Sequence, residues 1–270
     1  MKTKWIISLA IFFFFGIATS FAANNKIKGN GKAVKKVFSI EDYEKISSAG
    51  PVVFVYEQSS ASPYLEVTLD ENLFEYLKVE VKEKELKIGP KSVMTILGNT
   101  SYNLQPTVFK VKSNSKTLKE LNTAGSGDFI INSTLSTDRL VLNLAGSGNI
   151  QLPKPLAVSR LELNTAGSGS IRSDNLKADE LSCNVAGSGS ASLAGTTDKA
   201  SFNLSGSGSV KAYGCKANTV SCSIAGSGSV ETYADNKLSA NIIGSGDIYY
   251  KGDPEVKKST MGSGKVQASN

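Results

Sequence analysis

The 270-residue chain has no histidine, three cysteines, one tryptophan and seven prolines. Without His, no Ser-His-Asp or Cys-His nucleophile can be assembled, and no imidazole-ligated metal site can form. Any catalysis would have to rest on carboxylates, lysine, tyrosine or backbone groups. Neither sign of charge dominates: 30 basic residues stand against 24 acidic ones, a formal net charge of +6. The basic residues are scattered apart from small pairs such as Lys35-Lys36 and Lys257-Lys258. A nucleic-acid binder needs a concentrated basic face with interleaved aromatics, so nucleic acid is not an expected partner. A hydrophobic share of 40% with 20% charged residues excludes a disordered chain.

Long apolar runs are also missing, with one exception. Lys2 and Lys4 precede the stretch Ile6 to Ile17, which contains four consecutive phenylalanines, Phe12 to Phe15. Ser20 and Ala22 then occupy the −3 and −1 positions of a small-x-small cleavage site. This is the layout of a secretory signal peptide over residues 1–22, cut after Ala22. No cysteine adjoins the cut, so no lipid anchor is expected. No later stretch is long and apolar enough for a spanning helix, so no transmembrane segment is expected after cleavage. Loss of Lys2 and Lys4 lowers the net charge from +6 to +4. The expected destination is the periplasm, the outer-membrane surface or the exterior.

What the chain has in abundance is glycine, at 25 residues, and its placement is regular. Gly-Ser-Gly occurs eight times, beginning at Gly125, Gly146, Gly167, Gly187, Gly206, Gly226, Gly244 and Gly262. The successive spacings are 21, 21, 20, 19, 20, 18 and 18 residues. A period near twenty held this long marks a solenoid. Two, four and six residues before the first glycine stand mostly apolar side chains, as in Leu140-Leu142-Leu144 and Val220-Cys222-Ile224. Period-two alternation puts them on one face of a strand. Three residues before it comes Asn122, Asn143, Asn164, Asn184, Asn203 or Asn241, with serine in the remaining repeats. After the corner the alternation resumes, as in Ile150 with Leu152 and Val210 with Ala212. Each repeat thus reads as strand, glycine corner, strand and polar return.

The expected fold is all-β: a single parallel β-helix of about 20-residue coils over residues 121–270, with the eight glycines above as structural corners. The Asn column and the corner serines are each positioned to form a hydrogen-bonded ladder between coils. Gly-Ser-Gly lacks the strand-loop-helix context and the following Lys of a phosphate loop. Only Asp128 and Asp247 follow a second corner glycine, so a calcium β-roll is not expected, and neither metal nor cofactor is. Residues 23–120 are less regular and read as an N-terminal capping part. Alternating runs at Val52–Val55, Leu65–Leu69, Leu77–Val81, Leu86–Ile88 and Val108–Val111 predict strands. Asp70 is expected to cap a short helix that ends near Leu77. Ser48-Ala49-Gly50 resembles a decayed copy of the corner.

The exported N-terminus, Phe38-Ser39-Ile40, the Asp70–Leu77 stretch followed by Leu86-Lys87-Ile88, and the serial corners resemble the family named putative auto-transporter adhesin, head GIN domain. The resemblance spans nearly the whole mature chain. It implies a β-helical fold, an envelope or surface location in Gram-negative bacteria of the Bacteroides type, and adhesion. It supplies no catalytic residues. The chain shows no large C-terminal region able to form a translocating barrel, so self-export is not expected.

Three sets of side chains compete for a functional role. Cys183 and Cys222 share an inward column two coils apart, about 9.6 Å at ordinary strand spacing. That is too far for a disulfide. Cys215 and Cys222, seven residues apart, could pair across one coil, and buried free thiols are the alternative. Tyr213 and Tyr233 stand seven residues after their corner glycines, and Tyr249 stands five after Gly244. Alternation turns them outward, where a row of rings could stack on sugars; strand propensity alone also explains them. Acidic residues are dispersed at Asp138, Glu162, Asp174, Asp179, Glu180, Asp198, Glu231 and Asp235. They do not converge as polysaccharide cleavage requires. The expectation is a non-catalytic, adhesin-like envelope module that binds a glycan or an envelope or host protein. A periplasmic scaffold self-associating through the solenoid end is the alternative, and a polysaccharide lyase or hydrolase ranks third.

Overall fold

The computed structural model describes residues 25–95 and 98–269; the signal peptide expected over residues 1–22 lies outside them. The N-terminal part contains β1 (Asn25–Lys28), β2 (Ala33–Ser39), β3 (Lys45–Ala49), β4 (Val53–Gln58), β5 (Tyr64–Asp70), β6 (Leu77–Lys82), β7 (Glu85–Pro90), β8 (Ser92–Thr95), β9 (Gly98–Gln105) and β10 (Phe109–Ser115). The repeats supply β11 (Glu120–Gly125), β12 (Asp128–Ile131), β13 (Leu135–Gly146), β14 (Asn149–Leu152), β15 (Leu156–Gly167) and β16 (Ser170–Gly187). They end with β17 (Ser190–Gly206), β18 (Ser209–Gly226), β19 (Ser229–Gly244), β20 (Asp247–Lys251), β21 (Glu255–Gly262) and β22 (Lys265–Ala268). From β11 onward every pairing within the repeats is parallel and joins one coil to the next. The result is a β-solenoid of about 7 turns with roughly 20 residues per coil. At about 4.8 Å per coil, the helical part is some 35 Å long.

The repeat-to-repeat register is that of the sequence alignment. Leu121, Leu142, Leu163, Cys183, Phe202, Cys222 and Ala240 follow one another in one inward column. Phe202 sits between two cysteines, so a large ring is flanked above and below by small side chains and the column keeps its width. All seven are buried, within one apolar cluster that runs from Tyr43 to Ile248. Burial of a Leu or Phe of this size contributes about 1.5–3 kcal/mol. The first glycine of each corner is required by its backbone: Gly187 has φ +103, and a Cβ there would lie 2.7 Å from the Gly167 carbonyl oxygen. The second is required by proximity alone, since a Cβ on Gly208 would lie 2.6 Å from the Gly189 carbonyl oxygen.

Two ladders tie the coils together, and one differs from expectation. Asn143, Asn164, Asn184 and Asn203 each donate a side-chain N–H to the Asn of the preceding coil, at 2.7, 2.8, 2.7 and 2.9 Å. Ser223 interrupts this column before Asn241. The corner serines form a backbone ladder instead of a hydroxyl one. The Ser147 N–H donates to the Gly125 carbonyl, and Ser168, Ser188, Ser207, Ser227 and Ser245 repeat this, each at 2.9 Å. Among the described residues the corner serines form a single hydroxyl pair, Ser245 with Ser263 at 3.3 Å. Parallel coils need their amides for pairing, and the amide is nearer the previous corner than the side chain is.

The N-terminal part is wound into the solenoid. β3 and β4 form a coil of their own, in parallel register with β11 and β12 on one side. The resemblance of Ser48-Ala49-Gly50 to a corner is therefore structural: Gly50 has φ +105, and Ala49 is paired with Ala124. Beyond that coil the pairing becomes antiparallel in part. One wall continues as β4, β10, β5 and β2, and the other as β3, β7 and β6. β8 pairs antiparallel with β9, and β9 pairs with β1, in a separate three-stranded sheet.

The short helix is a 3₁₀-helix over Glu71–Tyr76, and its N-cap residue is Asp70 without a side-chain capping bond. This corrects the expected cap. The Asp70 carboxylate is fully buried and accepts hydrogen bonds from Gly31 N–H, Thr107 N–H and Thr107 Oγ1, each at 2.7 Å. Distant loops present more donors than the helix does, so the carboxylate pins those loops together.

Candidate functional site

The three tyrosines reach the surface of consecutive coils near the C-terminal end, on β18, β19 and β20. All three are half-buried, so they are not free-standing rings. They also occupy three different registers. Tyr249 follows Glu231 and Lys211 in one outward column. Tyr233 lies between Lys216 and Lys251 in another. Tyr213 falls in a bulge, because Ala212 pairs with Thr232 while Lys216 already pairs with Tyr233. The bulge pushes Tyr213 across the neighbouring coil, where its ring meets Lys251 two coils on.

The cluster is held by lysines. Lys216 Nζ lies 5.2 Å from the Tyr233 ring centroid, and Lys251 Nζ lies 5.2 Å from that of Tyr213. Cation–π pairs at exposed sites contribute about 0.5–1 kcal/mol, enough to orient a ring. The Tyr249 hydroxyl donates to Asp247 Oδ2 at 3.3 Å. The Asp247 charge, followed by partial burial and that hydrogen bond, raises the Tyr249 phenol above its ordinary value, so it stays protonated at neutral pH. The patch thus offers hydroxyls, ring edges and two ammonium groups on one rigid wall. Sequence reasoning had the tyrosines but missed Lys216 and Lys251. A signal existed: the corner spacing drops from 20 to 18 residues between these coils, which requires a bulge on the longer one.

The other candidates are accounted for by scaffold roles. Cys183, Cys215 and Cys222 are all free and buried. Cys215 follows Gly195 on a different wall from Cys222, which stands on Phe202, so the two thiols do not pair. Burial raises Cys183 to about 12 and Cys215 to about 11, and pushes Cys222 up as well, leaving all three as inert thiols. Three of the acidic residues named above are ion-paired along the surface. Glu162 meets Arg139 at 3.3 Å, Glu180 meets Arg160 at 2.8 Å, and Asp174 meets Arg172 at 2.7 Å. Among the described residues, no three acidic or thiol side chains gather to hold a metal ion. Among them, too, no helix is long and apolar enough to cross a membrane.

Solved structures match this architecture closely. A protein from Parabacteroides distasonis ATCC 8503, described as a putative lipid binding protein, is 50% identical, with a TM-score of 0.89 over 91% of this chain and 100% of that one. A putative adhesin from Parabacteroides merdae ATCC 43184 is 35% identical, with a TM-score of 0.84 and the same coverage, 91% and 100%. A second Parabacteroides distasonis protein, described as a putative adhesin, is 34% identical at a TM-score of 0.84, again covering 91% and 100%. Among curated proteins none matches. The family model described as putative auto-transporter adhesin, head GIN domain matches twice, over residues 42–154 and 141–254. The two matches meet inside the repeats and together take in both the N-terminal coil and the corners, and the chain belongs to this family.

Proposed function

We propose that this protein is an exported, non-catalytic module of the bacterial cell envelope that binds a glycan through the lateral wall bearing Tyr213, Tyr233 and Tyr249. The observation that carries this reading is the convergence of those rings with Lys216 and Lys251 on one rigid surface of the last coils. The family and the neighbouring putative adhesins support a binding role. The 50% identical neighbour is described as a putative lipid binding protein. Here the interior is filled by one continuous apolar cluster, so a ligand of any kind meets the outer walls. Aromatic side chains flanked by hydrogen-bonding groups suit sugar rings, which present an apolar face and a hydroxyl rim.

The test is a glycan-array screen of the mature chain beside a triple variant, Tyr213→Ala, Tyr233→Ala and Tyr249→Ala. Selective binding by the wild type and its loss in the variant, with the unfolding profile retained, is the expected result. Equal binding by both proteins would move the site elsewhere, and binding to no glycan would sink the glycan reading. Protease digestion of intact cells against permeabilised ones then separates surface display from a periplasmic position.

A further inference from the structure

Two of the interior columns of the solenoid can be followed from end to end. The first runs through Val67, Val111, Phe54, Phe129, Ile150, Ile171, Ala191, Val210, Val230 and Ile248 to Val266. Its N-terminal member, on the edge strand β2, is Lys36, which pairs with Val67. The second runs from Val81 through Leu86, Ile46 and Leu121, and then along the Leu142-to-Ala240 series described above. Its C-terminal member, on the edge strand β21, is Lys258, which pairs with Ala240. Each column is apolar along its length and carries a lysine at one end. The two lysines sit at opposite ends of the rod.

Both side chains are exposed, although their backbone register points them toward the core. Lys36 Nζ lies 4.3 Å from the Phe74 ring centroid. Lys258 lies beside Thr260 and Lys265, around a shallow depression at the C-terminal end. Among the described residues neither takes part in an ion pair, whereas the outward-facing Lys35 and Lys257 are paired with Glu66 and Glu255. Among the described residues β2, β6, β21 and β22 are each paired on one side only, so their other edges present open N–H and C=O groups. Such edges are templates for pairing with another chain, and inward-pointing charge is a way to block it.

We infer that Lys36 and Lys258 close the two ends of the rod against end-to-end association and leave its lateral walls as the surfaces available for contact. The register gives the reason. In a head-to-tail stack Lys258 would lie over Val81 of the next copy, and Val266 over Lys36. Each ammonium would be buried against a valine with no acidic partner, which is costly whatever the ionic strength. A head-to-head stack of two C-terminal ends would bring one Lys258 against another. The open ends expected to serve self-association are therefore the places where it is opposed. This holds independently of what the lateral walls bind.

The test measures the mass of the full mature chain by sedimentation velocity over a wide concentration range, at low and high salt. The wild type is expected to stay monomeric in both salts. The double variant Lys36→Met and Lys258→Met keeps the side-chain stems and removes the charges; it is expected to form concentration-dependent linear assemblies. A control, Lys35→Met with Lys257→Met, alters outward lysines on the same strands and is expected to stay monomeric. The single variant Lys258→Met, at the exposed C-terminal edge, is expected to dimerise through that end, while Lys36→Arg with Lys258→Arg is expected to stay monomeric. Association of the wild type, a folded double methionine variant that stays monomeric, or equal association of the outward control would each overturn the inference. If the double variant does not fold, a folded Lys258→Met that stays monomeric overturns it.

Discussion

Asp70 joins three separate parts of the N-terminal region through one carboxylate, and its replacement by asparagine is a direct test of that role. The residue is fully buried, and both oxygens are in use: Oδ1 accepts from Gly31 N–H and Thr107 Oγ1, and Oδ2 from Thr107 N–H, each at 2.7 Å. In Asp70→Asn one oxygen becomes an NH₂ group. The Thr107 hydroxyl can rotate to accept from it, but the backbone N–H on that side, of Gly31 or Thr107, cannot. One buried donor is orphaned, and the remaining bonds lose the help of the charge. The expected loss is about 2–4 kcal/mol at neutral pH. Burial raises the Asp70 carboxyl pKa, but the bonds from Thr107, Gly31 and Val108 outweigh it and hold the value below the ordinary one. A depressed folded pKa contributes stability above the unfolded value, near 3.9, and that contribution is lost as pH falls through the folded value. Urea unfolding of wild type and variant at pH values from neutral to acid should therefore show a gap that is widest at neutral pH and narrows toward acid. A gap that is absent, or that stays constant with pH, would refute the pinning role.

Four further substitutions probe the core and the glycine positions. Among the described residues Thr232 Oγ1 has no hydrogen-bond partner and is buried, so the isosteric Thr232→Val should raise stability by about 1 kcal/mol in urea unfolding. Phe202→Ala would leave an empty space between Cys183 and Cys222 in the middle of an inward column, and its midpoint should fall by an equivalent of about 3–5 kcal/mol. Gly187→Ala and Gly31→Ala share a positive φ, which costs about 1–3 kcal/mol, but a Cβ meets the Gly167 carbonyl oxygen at 2.7 Å in the first and nothing within 4 Å in the second. Thermal unfolding should rank Gly187→Ala as clearly the more damaging of the two.

The sequence by itself determined the solenoid, because in a parallel β-helix each residue's main neighbours are its counterparts one coil away. A period of about twenty residues places Asn143 on Asn122 and Leu163 on Leu142 without further information, and the structure has these pairs. The corner glycines were legible for the same reason, since a column of glycines must meet its own previous carbonyls. The site was legible in part. Alternation turned the tyrosines outward, but which lysines faced them depended on a three-residue bulge at Tyr213–Cys215, which shifts the register locally. In the N-terminal region the alternating runs marked the strands, but the tertiary structure alone decided how they pair, because partners lie far apart in the chain and no period links them. Asp70 looked like a helix cap because only its sequence neighbours were in view, while its donors come from Gly31 and Thr107, 39 and 37 residues away. It also decided that Lys36 ends an apolar column, since its position is inward only through antiparallel pairing with β5, which reverses the chain.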